Sequence, residues 1–148
     1  MTGHPSYCNL WAAAILWNPV INMSYMLAAS DIPDWMYACC LNRDMSFKSL
    51  TAEDNTAFFN KSPISVVRNC KTPSLLLIGD ADRRVPPNAA YYYYHALQEM
   101  GVDCKLMNYP DSPHGLLPTE HTADATMQII LWLDKYLMEP YEANEVAN

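Results

Sequence analysis

The chain has 148 residues, enough for one domain or a piece of a larger one, and 51% of them are hydrophobic, so a core can be buried. The formal net charge is −7 and no basic patch stands out, which excludes nucleic acid as an expected partner. The five cysteines are odd in number and lack C-x-x-C spacing, which argues for reduced thiols in a cytoplasmic protein rather than a disulfide scaffold. No apolar stretch is long enough to cross a membrane, and no basic region followed by an apolar run marks a secretory leader. If the chain begins within a longer protein, its first residues are silent on targeting.

In chain order, AAAILW at 12–17 is a short apolar run stopped by Asn18-Pro19 and reads as a buried strand. Residues 20–62 mix Met, Trp, Cys and Asp without a clean period, and Pro33 breaks any long helix, so short helices and loops are expected there. Ser62-Pro63 starts a short helix through Val67, with proline at an early helical position. Ser74–Ile78 is a continuous apolar run of the kind found in a central parallel strand, covered on both faces. Gly79 ends it, and Pro86 and Pro87 open a helix whose apolar positions are Ala90, Tyr93, Tyr94, Leu97 and Met100. Gly101 closes that helix as a C-terminal cap. A strand over 105–109 ends at Pro110. The last helix starts at Thr119 and Glu120 and carries an apolar stripe of Ala123, Met127, Ile130, Leu131 and Leu137, with Lys135 near its end. The tail after Pro140 is polar and expected to fray. Alternating strands and helices predict an α/β fold with a parallel sheet.

In such sheets functional residues gather in loops at the C-terminal ends of strands. GDADRRVP follows the strand at 74–78, and PDSPHGLLP follows the strand at 105–109. The first supplies acids and the second a histidine. An acid that orients a histidine, which in turn deprotonates a serine, is the logic of a hydrolase triad, and α/β-hydrolases carry it in the order Ser, Asp, His. Asp82 and His114 have that order, with Asp80 and Asp111 as rivals for the acid. An Asp after a strand is often only a helix cap, and a loop His is often only solvated. His4, His95 and His121 are weaker candidates, His95 because it falls within a helix and His121 because it falls at a helix start, away from the strand ends. Arg83 and Arg84 read most simply as ion-pair or surface residues that hold the loop, and a role in binding a substrate carboxylate is the weaker reading. Cys70 and Cys104 precede strands and so fall at the sheet edge opposite His114. Cys39 and Cys40 remain open as thiol candidates, although inert buried thiols are the simpler reading. The His and Cys residues lack metal-ligand spacing.

The runs S-P-I, K-T-P-S-L-L-L-I-G-D-A-D-R-R-V-P and Y-P-D-S-P-H-G together resemble the C-terminal catalytic region of the prolyl oligopeptidase family of serine peptidases. N-P-V-I-N-M, D-I-P-D-W and the D-R-R-V-P ending look most like the acylaminoacyl peptidase branch of that family. The resemblance covers roughly residues 1–138, leaving 139–148 as a polar tail. It implies the C-terminal portion of an α/β-hydrolase fold, with an N-terminal propeller elsewhere in the family's proteins. It implies an N-acylated peptide as substrate, no metal or organic cofactor and a cytosolic location, and it leaves a homo-oligomer open. Carried over by motif, Asp82 is the triad acid and His114 the base, the same two residues that the strand-end argument reaches.

One departure is large. The family's nucleophile lies in a G-x-S-x-G elbow, and here no two of the four glycines, Gly3, Gly79, Gly101 and Gly115, flank a serine at that spacing. Thr2-Gly3-His4-Pro5 resembles the stretch after the elbow helix, so the nucleophile, the oxyanion hole and the first strands of the sheet are expected upstream of Met1. The first reading is therefore a piece of a serine hydrolase that holds acid and base and is inactive alone. The alternative is a non-enzymatic short isoform or pseudo-enzyme that binds another protein. A small nucleotide-binding domain is disfavoured, because there is no G-x-G-x-x-G and no P-loop.

Overall fold

Three strands, β1 (Ala14–Trp17), β2 (Ser74–Gly79) and β3 (Cys104–Tyr109), form a parallel sheet in the order β1-β2-β3. The helices are α1 (Met23–Ala29), α2 (Asp34–Met36), α3 (Ala52–Asn60), α4 (Asn88–Glu99) and α5 (Thr119–Leu137). A π-type turn over Tyr37–Leu41 extends α2, and a 3-10 helix covers Pro63–Asn69. The computed structural model describes residues 2–45, 50–115 and 118–138, so the expected polar tail lies outside the described residues.

β2 has a strand on each side and all six of its residues are buried, which is why its sequence is unbroken in apolarity rather than alternating. Successive side chains leave a strand on opposite faces. Leu76 and Ile78 accordingly pack with Ala90, Tyr93 and Leu97 of α4, while Leu75 and Leu77 pack with Ala125 and Trp132 of α5. One helix thus covers each face. Truncating any of these leucines to alanine would cost about 2–5 kcal/mol. The register sets Leu77 of β2 against Trp17 and Met107, so the three C-terminal strand ends share one edge of the sheet.

The helix ends follow local chemistry. Asn22 caps α1, its side chain accepting from the Tyr25 N–H, and Thr51 and Asp54 form a reciprocal capping box on α3. Gly101 has φ +70°, and the bonds Gly101 N–H to Gln98 O and Val102 N–H to Leu97 O are the paired bonds of a Schellman motif. Gly3 has a different reason: a Cβ there would sit 2.4 Å from the carbonyl oxygen of Val66.

The expected elements are present, with shifted bounds. β1 begins at Ala14 rather than at 12, β2 runs on to Gly79, β3 starts at Cys104, and the short helix after Ser62 continues to Asn69. The unassigned stretch does form short helices, and Met26, Met36, Tyr37, Cys40 and Phe58 give them a small core of their own, closed by Val85. Met100, which caps the C-terminus of α4, is exposed rather than buried.

The expected stripe of α5 is corrected by the structure. Ala123, Met127, Ile130, Leu131 and Leu137 are all exposed. The face against the sheet carries Ala125, Ile129, Trp132 and Tyr136. Polar contacts help to fix that rotation: Lys135 Nζ lies 2.6 Å from Asp103 Oδ2 at the start of β3, and the Tyr136 hydroxyl donates to the same carboxylate. Both partners hold the Asp103 carboxyl below its ordinary value, Lys135 most strongly.

Candidate active site

Asp82 sits in the loop after β2 with its side chain fully buried. Its position is set largely by its own neighbours in sequence. Asp82 N–H donates to Gly79 O, and Oδ1 accepts from the backbone N–H groups of Arg84 (2.8 Å) and Val85 (2.9 Å). A short acidic side chain that bonds N–H groups two and three residues on is a standard way to shape a turn. Val85 then plugs into the core of the short helices, and Pro86-Pro87 lead into α4.

The second carboxylate oxygen meets the base. His114 Nδ1 lies 2.8 Å from Asp82 Oδ2. An ionised carboxylate only accepts, so Nδ1 carries the proton and Nε2 is left with its lone pair, the tautomer required of a general base. The His114 side chain is 50% exposed. A buried, fully bonded acid therefore stands behind a base that solvent and substrate can reach.

The loop that carries His114 is braced from several sides. Ala81 N–H donates to Ser112 O, tying it to the acid loop. The buried Ser112 hydroxyl lies 2.5 Å from His121 Nδ1 on α5. Asn18, one residue past β1, donates from Nδ2 to His114 O at 2.8 Å and accepts from Gly79 N–H at 2.7 Å. Asp111 has φ +57°, a left-handed turn that asparagine and aspartate tolerate better than other residues.

The rivals separate cleanly. Asp80 is exposed and its carboxylate accepts from the Tyr91 hydroxyl at 3.4 Å, while His114 Nδ1 meets Asp82. His4 stacks on Tyr7, and His95 is exposed beside Gln98. His121 is not remote from the strand ends, as its place in the sequence suggests: it braces the base loop without touching the acid. Arg84 pairs with Asp31 through two bonds, Nε to Oδ1 at 3.1 Å and a terminal nitrogen to Oδ2 at 3.3 Å. That pair holds the Asp31 carboxyl below its ordinary value and the guanidinium above its own. Arg83 O and Arg84 O accept from Asp31 N–H and the Ser30 hydroxyl, so Ser30 and Asp31 hold the Arg83–Arg84 end of the loop. Burial pushes the thiols of Cys40 and Cys104 up, against a nucleophilic role. All five cysteines are unpaired.

His114 borders an apolar cleft of about 500 Å³ walled by Trp17, Val20, Met26, Ile32 and Trp35. His114 also borders a second recess of about 470 Å³, whose lining includes Asp31, Arg83 and Arg84. The cleft draws on the short-helix region, whose residues gave no signal of it. Trp17 ends a strand and Asn18-Pro19 reads as a strand terminator; their place beside a histidine is a property of the fold.

A parallel sheet flanked on both faces by helices, with an Asp–His pair in the loops after adjacent strands, is the C-terminal portion of an α/β-hydrolase fold. The chain belongs to the prolyl oligopeptidase family, whose model matches residues 5–139. It is 38% identical over 134 residues to the acylamino-acid-releasing enzyme of Homo sapiens, an alignment covering 88% of this chain and 18% of that protein. Among solved structures it is similar to an acylaminoacyl peptidase of Pyrococcus horikoshii, with TM-score 0.75 and 21% identity over 93% of this chain and 22% of that one. An acylaminoacyl peptidase in complex with Z-Gly-Gly-Phe-chloromethyl ketone matches with TM-score 0.73 and 21% identity, over 90% of this chain and 22% of that one. The chain thus spans less than a quarter of the length of these relatives. Among the described residues, no helix is long and apolar enough to cross a membrane.

Proposed function

We propose that residues 1–138 supply the acid and the base of a serine hydrolase that releases N-acylated amino acids from blocked peptides. The observation that carries this reading is the 2.8 Å contact between Asp82 Oδ2 and His114 Nδ1, formed by a buried acid and an accessible base at one edge of a parallel sheet. In the reaction, His114 Nε2 takes the proton of a serine hydroxyl as it attacks the acyl carbonyl, then returns it to the leaving amine. Asp82 holds the tautomer and stabilises the imidazolium. The aromatic and aliphatic walls of the cleft beside His114 suit an apolar side chain on the released residue. The Phe of the chloromethyl ketone held by the related peptidase supports the same preference. The reaction calls for no metal or organic cofactor, and reduced cysteines fit a cytoplasmic setting.

No G-x-S-x-G occurs among these 148 residues, so the serine and the oxyanion hole are assigned to none of them. The isolated chain is therefore expected to leave an N-acetylated amino-acid chromogenic substrate unturned. Turnover that His114→Ala abolishes would overturn that expectation. The positive test is a chimera in which residues 5–139 replace the matched stretch of the human relative. It should turn over the same substrate and lose about 10⁴-fold in kcat with Asp82→Asn. A folded chimera that is inert, or one insensitive to that substitution, refutes the acid–base reading.

A second reading rests on a separate observation. β1 is bonded only to β2 and leaves its other edge unpaired among the described residues, with Trp11 and Trp17 exposed nearby. An open strand edge recruits another strand, so the chain alone would act by docking onto a protein rather than by catalysis. A well-behaved monomer in size-exclusion chromatography counts against this.

A further inference from the structure

We infer that Asn18 is the positioning residue that sets the base against the acid. The inference rests on the acid–base reading of Asp82 and His114. Asn18 lies one residue beyond β1, is 5% exposed, and has φ +39°. Asparagine is one of the few L-residues that enters this left-handed region at low cost. Here the turn sends the side chain across the end of β2 toward the loop after β3. Its amide then makes two bonds whose direction the partners dictate. Gly79 N–H can only donate, so it faces Oδ1 at 2.7 Å; His114 O can only accept, so it faces Nδ2 at 2.8 Å. A third bond, Asn18 N–H to Leu77 O, fixes the backbone of Asn18 itself.

The two partners matter because of where they lie. Gly79 is the residue from which the acid loop departs, and its carbonyl accepts from Asp82 N–H. His114 is the base. One buried amide therefore references both loops to each other. His114 is gripped twice, at its carbonyl by Asn18 and at Nδ1 by Asp82, so its backbone and its ring are both held. None of these contacts places Asn18 on the reacting atoms; it acts through His114.

The test is the ring ¹⁵N and Nδ1–H spectrum of the histidines in the 148-residue chain, with thermal melts of the same samples. The Nδ1–H proton bonded to a carboxylate resonates at low field and is shielded from exchange with water. It should be present in the wild type and absent in Asp82→Asn. Asn18→Asp keeps the acceptor for Gly79 but turns an attraction at His114 O into a repulsion. Asn18→Gly removes the side chain and still accepts the positive φ. Both should lose the low-field signal or move it upfield, with the His121 ring shifts and cooperative melting retained. His121 is the internal control, since it holds the same loop through Ser112. An unchanged His114 signal in both variants overturns the inference. So does movement of His121 together with His114, or loss of the cooperative melt in both variants, because either makes Asn18 a general support of the loop. A low-field signal that survives Asp82→Asn instead removes the acid–base reading beneath it.

Discussion

Asp82 and His114 are one strand apart in the sheet, yet the loops that carry them are held by different kinds of contact. The turn at Asp82 is set from within: the carboxylate bonds the N–H groups of Arg84 and Val85, and its own N–H bonds Gly79, all within three residues, while Ser30, Asp31 and Ser112 tie the rest of that loop to its surroundings. The base loop borrows its order from elsewhere, from Asn18 after β1, Asp82 after β2 and His121 on α5. The difference matches the chemistry. An acid that only orients and stabilises works best buried and fixed. A base that must face a serine and a leaving group has to remain accessible, so its support comes from behind, through the backbone and Nδ1.

The comparison predicts unequal penalties, and the largest falls on the acid. Asp82→Ala strands two loop N–H groups, one of them buried, and should cost about 3 kcal/mol in urea unfolding. His114→Ala removes a half-exposed ring and leaves Oδ2 of the buried Asp82 to water that enters in its place, so it should cost less, about 1–2 kcal/mol. Equal penalties for the two would break the comparison. Next comes the brace on the base loop. Ser112→Ala deletes a buried hydroxyl from its bond to His121 and should cost about 1 kcal/mol. Amide hydrogen exchange should then quicken in residues 110–115 and stay unchanged in 79–85. Acceleration in both loops would mean that they open as one unit.

The same asymmetry explains what could be read from the sequence. A continuous apolar run followed by Gly-Asp-Ala-Asp announces a buried strand and a locally shaped acid loop, because the forces involved act over a few residues. His114 was identifiable for its place after a strand. Its supports were not: Asn18 is 96 residues away in sequence, and His121 reads as a helix-start residue. The cleft was equally hidden. Its wall is assembled from single residues of short helices, and a core fed by one or two side chains per element leaves no period to detect. The Thr51-Ala-Glu-Asp cap of α3 is a usable local signal of where that helix starts. In α5 the sequence offers two apolar faces. The choice of Ala125, Ile129, Trp132 and Tyr136 depends on the sheet beneath and on Asp103 at the start of β3, and neither appears in the helix's own periodicity.

The smallest expected effect concerns the charges that make the acid loop conspicuous. Arg84 and Asp31 are both exposed, so their paired bonds contribute little, and less as salt is added. Arg84 lowers the Asp31 carboxyl from its ordinary value of 3.8, chiefly by hydrogen bonding. A carboxyl lowered in the folded state stabilises fully above its unfolded value and loses that contribution as pH falls through the folded one. Arg84→Ala should therefore lower the melting temperature slightly at neutral pH, and the difference from wild type should vanish well below pH 3.8 and in high salt. The Asp82 turn should survive the substitution, since it uses the backbone N–H of residue 84 and not its side chain. A large loss at neutral pH, or one that persists in acid, would mean that the arginine shapes the loop after all. The turn at Asp82 would then depend on a distant side chain as the base loop does.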